Sequence, residues 1–190
     1  MHHIVAISGM PGSGKSTAIK IAKDLGYSCI RFGQLTIDTV RERGMVVTPE
    51  NEQIVREDLR QKHGMAAYAT LNLPTIEQML EQGDVVIDGL YSWSEYKVLK
   101  EKYGDRLTML AIHVPPKIRY RRLSERKTDE NDTALNNRTI SKEDAMKRDV
   151  AEIENIEKGG PIAMADHMIV NTKGYDDFVA ELNQFYQSLA

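Results

Sequence analysis

The segment at positions 9–17 constrains the fold of this 190-residue chain more than any other. It reads Gly-Met-Pro-Gly-Ser-Gly-Lys-Ser-Thr and fits the pattern G-x-x-x-x-G-K-[ST], whose main-chain N–H groups and lysine surround phosphate oxygens. An apolar run at 4–7 predicts a buried strand before it, and apolar residues at helical spacing from 18 to 25 predict a helix behind it. This order favours a phosphate-binding loop over a chance glycine-rich turn.

In such a loop the lysine bridges the β- and γ-phosphates, and the hydroxyl that follows it holds Mg²⁺. We therefore expect Lys15 to act in catalysis and Ser16 to bind the metal ion. The loop does not distinguish transfer of the phosphate from its hydrolysis or sensing. The loop residues predicted to bind the nucleotide, ATP, are Gly9, Met10, Pro11, Gly12, Ser13, Gly14, Lys15, Ser16 and Thr17.

Asp88 ends a second apolar run and is followed by a glycine. A carboxylate at the end of a buried strand beside a phosphate loop is placed to organise the magnesium shell, directly or through water. We expect Asp88 to serve in catalysis and, with Ser16, at the metal. The alternative is an aspartate that only shapes the turn with Gly89.

Strand-like runs alternate with helical stretches along the chain, which is typical of a parallel sheet with helices on both faces. We expect one α/β domain over 1–190, a three-layer P-loop fold with five strands at 3–8, 27–31, 85–88, 106–114 and 167–170. Pro74 should kink or split the fourth helix, and Gly159-Gly160-Pro161 should break the seventh helix. The predicted helices are 15–25, 34–43, 50–62, 65–81, 92–103, 117–126, 143–156 and 175–189.

Two interruptions are expected to overhang the bound nucleotide, because ligands of open parallel sheets bind at the carboxyl ends of the strands. One is a helical insert at 33–82, predicted to bind the acceptor. The other is a polar stretch at 127–141, predicted to be a mobile lid. A lid suits transfer chemistry, because water has to be excluded while the γ-phosphoryl moves.

Arginines crowd the helix predicted at 117–126 and the region behind it. Arg122 and Arg126 lie four residues apart and share a helix face, where two guanidiniums repel unless an anion joins them. Arginines that close over a transferring phosphoryl group stabilise its charge. The alternative is a solvated basic face, paired with nearby acidic residues. The cluster consists of Arg119, Arg121, Arg122 and Arg126, with Arg138, Lys147 and Arg148 beyond.

These motifs resemble the adenylate-kinase-like nucleoside monophosphate kinases. The phosphate loop matches theirs closely, and Pro115 is followed seven and eleven residues later by Arg122 and Arg126, as on that family's approach to its lid. Arg138 and Arg148 are similar to the pair on the far side of the lid. The resemblance implies a P-loop kinase in which all four arginines are catalytic and Arg122 also contacts ATP.

The chain looks closer still to an adenylate-kinase-related branch that is often likened to dephospho-CoA kinases. The shared features are Asp88-Gly89, His113 and the segment 162–171, which reads Ile-Ala-Met-Ala-Asp-His-Met-Ile-Val-Asn.

The acceptor side departs from the resembled family. Asp88-Gly89 is followed there by an aromatic residue, a proline and an arginine, but here by Leu-Tyr91-Ser-Trp93. The first helix of the insert also lacks the expected arginine. Tyr91 and Trp93 either stack on an acceptor or pack a helix onto the sheet. Four arginines could substitute on this side: Arg31, Arg41, Arg56 and Arg60.

The leading hypothesis is an ATP-dependent phosphotransferase with a small phosphorylated acceptor, first a nucleoside or deoxynucleoside monophosphate and second dephospho-CoA. A hydroxyl acceptor would need a general base, and Asp38 and Asp88 are the candidates. A regulatory NTPase without an acceptor is the alternative from another class. A guanine-specific switch is not favoured, because the late segment Thr172-Lys173-Gly174-Tyr175 lacks the aspartate of such a signature.

Composition limits partners and location. A net charge of −3 gives no electrostatic reason to expect nucleic acid as a partner. One cysteine, Cys29, excludes an internal disulfide and suits a reducing compartment. The sequence shows no apolar run long enough for a membrane span and no signal peptide, so we expect a cytoplasmic protein that is a monomer or a homodimer.

Overall fold

The computed structural model describes residues 2–126 and 139–189. Within these ranges five strands form one parallel sheet, as the alternating pattern predicted. Each strand lies within two residues of its predicted bounds. They are β1 Ile4–Ser8, β2 Ser28–Arg31, β3 Val85–Asp88, β4 Leu107–His113 and β5 His167–Val170.

Nine α-helices and a 3-10 turn at Gly104–Arg106 surround the sheet in the part of the chain that the structure describes. None of these helices is long and apolar enough to cross a membrane. The helices are α1 Lys15–Asp24, α2 Gln34–Glu42, α3 Pro49–His63, α4 Ala67–Leu80, α5 Trp93–Tyr103, α6 Pro116–Ser124, α7 Lys142–Glu154, α8 Gly159–Ala163 and α9 Tyr175–Gln187.

Two prolines behave differently from the simplest expectation. Pro74 lies inside α4, which continues through it as one helix. The segment 159–161 was expected to break the helix before it; α7 ends at Glu154, and the segment itself opens a further short helix, α8. Pro161 is tolerated there because it lies in the first turn, where N–H groups have no partner within the helix.

The strand order β2-β3-β1-β4-β5 places β1 at the centre of the sheet. One face, with Ala6, Ile87 and Met109, belongs to the core that α3, α4 and α5 cover. The other face, with Val5 and Ile169, belongs to the core that α1 and α9 cover. Burial on both faces explains why the strands are almost continuously apolar.

Successive strands are added on different sides of β1: β2 and β3 lie on one side of it, and β4 and β5 lie on the other. In open α/β sheets such a switch point creates a crevice at the carboxyl ends of the strands. The loop 9–14 leaves β1 at this crevice. The predicted insert at 33–82 contains α2, α3 and α4 between β2 and β3. Of the predicted lid at 127–141, residues 127–138, Arg138 included, lie outside the described residues.

A buried ion pair joins α6 to α7. Arg119 is 3% exposed and Asp149 is 6% exposed. The guanidinium donates to both carboxylate oxygens, Nη1 to Oδ1 at 3.0 Å and Nη2 to Oδ2 at 2.6 Å. Its Nη1 also donates to the Pro11 carbonyl at 3.2 Å, and its Nε donates to the Val114 carbonyl at 2.9 Å. Arg119 therefore stabilises the loop after β1 through the Pro11 carbonyl. Its guanidinium is paired with Asp149 and does not act with the other arginines as a site for an anion.

We expect Asp149→Ala to lower the free energy of unfolding by about 3–5 kcal/mol, because it leaves the Arg119 guanidinium buried without its carboxylate. Lys147→Ala is the control, since that side chain on the same helix is 77% exposed and lies 3.8 Å from Asp144. It should change stability by less than about 0.5 kcal/mol. Urea denaturation measures both, and similar values for the two variants would contradict the structural role of the pair.

Candidate active site

The loop between β1 and α1 depends on glycines in conformations that other residues rarely adopt. Gly9 has φ 152° and Gly14 has φ 108°. A Cβ at Gly9 would lie 2.6 Å from the Ile112 carbonyl oxygen, and one at Gly14 would lie 2.7 Å from Asn171 Nδ2. Any side chain at either position would push the loop away from β4 or from the end of β5, so the tight curve of the loop requires glycine at both.

The Lys15 ammonium is folded back onto this loop. Nζ donates to the Gly9 carbonyl at 2.8 Å and to the Met10 carbonyl at 3.2 Å. Burial of the ammonium lowers the pKa of Lys15 to about 7, and the nearby positive charge of Lys158 adds to this effect. The carboxylates of Glu152 and Asp88 act in the opposite direction. Lys15 therefore carries a charge that neutral carbonyls only partly compensate.

Asn171, directly after β5, connects the loop to the predicted arginines. Its Nδ2 donates to the Ser13 carbonyl at 2.9 Å, and its Oδ1 accepts from Arg122 Nη2 at 3.4 Å. Arg122 is thus linked to the phosphate loop through one intervening side chain. Burial and the neighbouring Arg121 lower the pKa of Arg122.

The two predicted metal ligands lie at the same edge of the sheet. Asp88 ends β3 in register with Ile7 of β1 and Arg31 of β2, and its carboxylate is close enough to act on the pKa of Lys15. Ser16 is exposed in the first turn of α1. One carboxylate and one hydroxyl fit Mg²⁺, which keeps several waters and takes further oxygens from substrate phosphates. The described residues hold no cluster of three or more His, Cys, Asp or Glu that would form an all-protein cage.

A second charged cluster lies close enough to Lys15 to act on its pKa. Two of its members, Lys158 and Glu152, were not predicted from the sequence. Lys158 is 1% exposed and forms an ion pair with Glu152. Its ammonium also lies 4.7 Å from the centroid of the Tyr91 ring. Glu152 accepts a second hydrogen bond from Arg148 Nε at 2.9 Å, which places that predicted arginine in the same cluster.

The turn after Asp88 is fixed by a buried carboxylate. Glu95 Oε2 accepts from the main-chain N–H groups of Tyr91 at 2.9 Å and Ser92 at 3.0 Å. Ser92 Oγ in turn accepts from the Glu95 N–H at 3.0 Å, which completes a capping box at the start of α5. Burial raises the pKa of Glu95 to about 7. The pattern Ser-x-x-Glu before a helix was a readable signal for this role.

The aromatic side chains that follow Asp88 both pack within the fold. The Tyr91 ring lies against Gly89, where an added Cβ would be 2.8 Å from it. Trp93 stacks on Tyr96 with centroids 5.1 Å apart, and its ring lies 2.9 Å from a Cβ built at Gly160. Trp93 thus packs α5 against α8.

The remaining predicted arginines lie in different parts of the structure. Arg126 follows α6, and its carbonyl accepts from Thr139 Oγ1 at 2.6 Å. Arg60 lies 5.6 Å over the Tyr68 ring in the insert, where the Tyr68 hydroxyl and Thr36 Oγ1 are 2.5 Å apart. Arg31 ends β2 beside Asp88, whereas Arg41 and Arg56 pair on their own helices with Asp38 and Glu52.

The sheet order and the loop define the class: this is an α/β P-loop fold of the kinase-like type. Shikimate kinase from Bacteroides thetaiotaomicron has the same fold, with a TM-score of 0.59 at 14% identity over 98% of each chain. Dephospho-CoA kinase from Campylobacter jejuni has it too, with a TM-score of 0.56 at 17% identity over 100% of this chain and 98% of that one. At such identities the likeness shows the fold alone.

A family model described as an AAA domain matches residues 5–157. The chain is 34% identical over 188 residues to the UPF0200/UPF0201 protein of Archaeoglobus fulgidus, covering 98% of this chain but only 56% of that protein. It is 31% identical over 187 residues to a UPF0200 protein of Methanococcus maripaludis strain C7, covering 98% of this chain and 97% of that protein. The chain therefore belongs to the UPF0200 family.

Lys15 should make stability depend on pH. Its pKa is about 7 in the folded chain and 10.5 for an ordinary lysine, so between these values the unfolded chain holds a proton that the folded chain has lost. The free energy of unfolding therefore rises as pH passes about 7, and the gain is complete above the unfolded pKa. We expect urea titrations of Lys15→Met between about pH 7 and pH 9 to lose this slope.

Lys20→Met is the matched control, because Lys20 lies on α1 and is exposed beside Asp24. Its slope should equal that of the wild type. If Lys15→Met also keeps the wild-type slope, the ammonium does not titrate near neutral pH.

Proposed function

We propose that this chain is an ATP-dependent phosphotransferase, which moves the γ-phosphoryl group of Mg-ATP to a small acceptor, a nucleoside or deoxynucleoside monophosphate first. Lys15 carries this proposal, because its ammonium lies inside a glycine-shaped loop, where its hydrogen-bond partners among the described residues are neutral carbonyls. A partly buried cation with neutral hydrogen-bond partners favours an anionic ligand. The kinase-like fold and the charged cluster behind the loop support transfer over simple binding.

On the donor side, the N–H groups of residues 9–17 surround the phosphates, and Lys15 turns from the loop carbonyls to the β- and γ-phosphates. The N-terminus of α1 adds its positive dipole end. Ser16 and Asp88 would hold Mg²⁺, which would supply positive charge to neutralise the phosphate oxygens. Arg122, held to the loop through Asn171, contacts the nucleotide.

In the transfer step, an oxygen of the acceptor phosphate attacks the γ-phosphorus, and the bond from that phosphorus to the β,γ-bridging oxygen breaks. ADP leaves with the bridging oxygen, and the acceptor becomes a diphosphate. Charge spreads over the equatorial oxygens, where Arg122, Arg126, Arg138 and Arg148 stabilise it. Arg138 belongs to the proposed lid at 127–141, which closes to exclude water.

A monophosphate acceptor is already ionised and needs no general base. A hydroxyl acceptor, as in a dephospho-CoA kinase-like reaction, would pass its proton to a carboxylate. Asp88 lies at the site, whereas Asp38 is exposed on α2 and accepts from Gln34 Nε2 at 2.8 Å. The insert at 33–82 is the proposed acceptor-binding region, with Arg60, Tyr68 and Thr36 on its inner side.

The assay that tests the proposal measures ADP release with Mg-ATP and a panel of nucleoside monophosphates, dephospho-CoA and no acceptor. Stimulation by monophosphates supports it. Stimulation by dephospho-CoA alone assigns a hydroxyl acceptor, and slow hydrolysis that no acceptor accelerates identifies a regulatory NTPase instead.

Lys15→Ala should lower turnover about a hundredfold or more, the scale of removing one preorganised electrostatic group. The control is Lys20→Ala on the exposed side of α1, which should keep wild-type turnover. Steady-state ADP release measures both. Nearly full activity in Lys15→Ala would show that the loop lysine takes no part in the reaction.

Binding of Mg-ATP should take up a proton. The Lys15 pKa of about 7 leaves its amine mostly neutral at higher pH, and the phosphates favour its charged form. Near pH 8 a terminal phosphate with a second pKa of about 6 is already ionised and releases no proton. Calorimetry in two buffers of different ionisation enthalpy should detect this uptake, and Lys15→Met should abolish it. Equal heats in both buffers for the wild type would exclude protonation of Lys15 on binding.

A further inference from the structure

Lys158 is a buried cation that shares its carboxylate partner with a second cation. It lies directly before α8 with 1% of its surface exposed, and its carboxylate partner is Glu152. Arg148 donates to the same carboxylate at 2.9 Å, so Glu152 is shared between two cations. The neighbouring carboxylate of Asp149 is taken by Arg119 at 2.6 Å. Within the described residues, two cations therefore share the single carboxylate of Glu152.

Lys158 also lies close to residues at the end of β3 and to Lys15 of the loop. Its ammonium lies 4.7 Å from the centre of the Tyr91 ring, and Tyr91 packs on Gly89, directly after Asp88. The charge of Lys158 also contributes to the lowered pKa of Lys15. The two lysine ammoniums are thus close enough for their charges to interact, one held by carbonyls and the other by a shared carboxylate.

A purely structural tie between α7 and α8 does not require this charge. The main-chain N–H of Lys158 already donates to the Glu152 carbonyl at 3.2 Å. A buried ion pair contributes little net stability compared with apolar residues of similar volume. An ammonium has three donors, and its flexible stem lets it turn toward a ligand.

The Lys158 ammonium lies against the turn after β3, whereas Asn171 follows β5, and β1 and β4 lie between these two strands. Arg122 and Asn171 reach the loop from α6 and β5. Lys158 contacts Tyr91, which joins β3 to α5, on the side where β2, β3 and the insert lie. A ligand group at Lys158 would therefore stand beside the γ-phosphate position on the acceptor side.

We propose that Lys158 binds the anionic group of the acceptor, so that Lys15 holds the donor phosphates and Lys158 holds an acceptor phosphate. This inference rests on the proposed function and deepens it: the acceptor is a phosphate monoester rather than a neutral alcohol. Glu152 holds the ammonium until the phosphate arrives.

The experiment fills the donor side with Mg²⁺ and the β,γ-imido analogue of ATP, and then titrates the full chain with inorganic phosphate by calorimetry. Lys158→Met should weaken phosphate binding about tenfold or more, the scale of one charged hydrogen bond. Binding of the analogue should change by less than about threefold.

Lys102→Met is the matched control. Lys102 also pairs with a carboxylate, Glu77 at 3.2 Å, and its ammonium lies 5.9 Å from the Tyr103 ring, but at the far end of α5. It should bind phosphate as the wild type does. Glu152→Gln keeps Lys158 but removes the carboxylate that competes with the phosphate, so it should tighten phosphate binding. This variant tests the inference if Lys158→Met fails to fold.

Equal phosphate affinity in Lys158→Met and Lys102→Met overturns the inference, as does a wild type that binds no phosphate once the analogue is in place. Weaker phosphate binding in Glu152→Gln assigns the pair a structural role only. Each of these results leaves the analogue bound and the proposed function standing. A wild type that does not bind the analogue contradicts the proposed function, and this inference with it.

Discussion

An ammonium enclosed by main-chain carbonyls at the end of the central strand is the interaction on which this site depends. Lys15 is desolvated, close to Lys158 and next to the positive end of the α1 dipole, and all three effects disfavour its charge. The Gly9 and Met10 carbonyls supply the compensating contacts. The loop keeps this geometry because Arg119 and Asn171 bind its Pro11 and Ser13 carbonyls from two sides.

Much of the fold could be predicted because its strands are buried on both faces. A strand such as β1 or β3 then appears as a short apolar run, and its end coincides with a glycine or a charged residue. The secondary structure of residues 159–163 was harder to predict from the sequence. Glycine and proline favour a break, but Pro161 sits in a first helical turn, where its missing N–H is not needed. Local propensity alone does not distinguish these two outcomes.

The site was predictable where it follows from the loop and the ends of strands. Lys15 and Asp88 come together because β1 and β3 are neighbours and end at the same edge. Lys158 and Glu152 were missed because their meeting depends on how α7 and α8 fold back over Tyr91, which has no signature in sequence. Glu95 did have a sequence signature, because Ser92 and Glu95 have the spacing of a capping box.

The arginine cluster shows why neighbours in sequence acquire different roles. Arg119 and Arg122 share a helix face by spacing, yet α7 presents Asp149 to the first, whereas the second reaches Asn171 beside the loop. The guanidinium of Arg119 holds α6 against α7 through two hydrogen bonds to the Asp149 carboxylate. Burial lowers the pKa of both lysines at the crevice, Lys15 and Lys158, so their charge responds to what lies beside them. In the proposed reaction these two ammoniums bind the ligands, while the Arg119–Asp149 pair holds the loop in place through the Pro11 carbonyl.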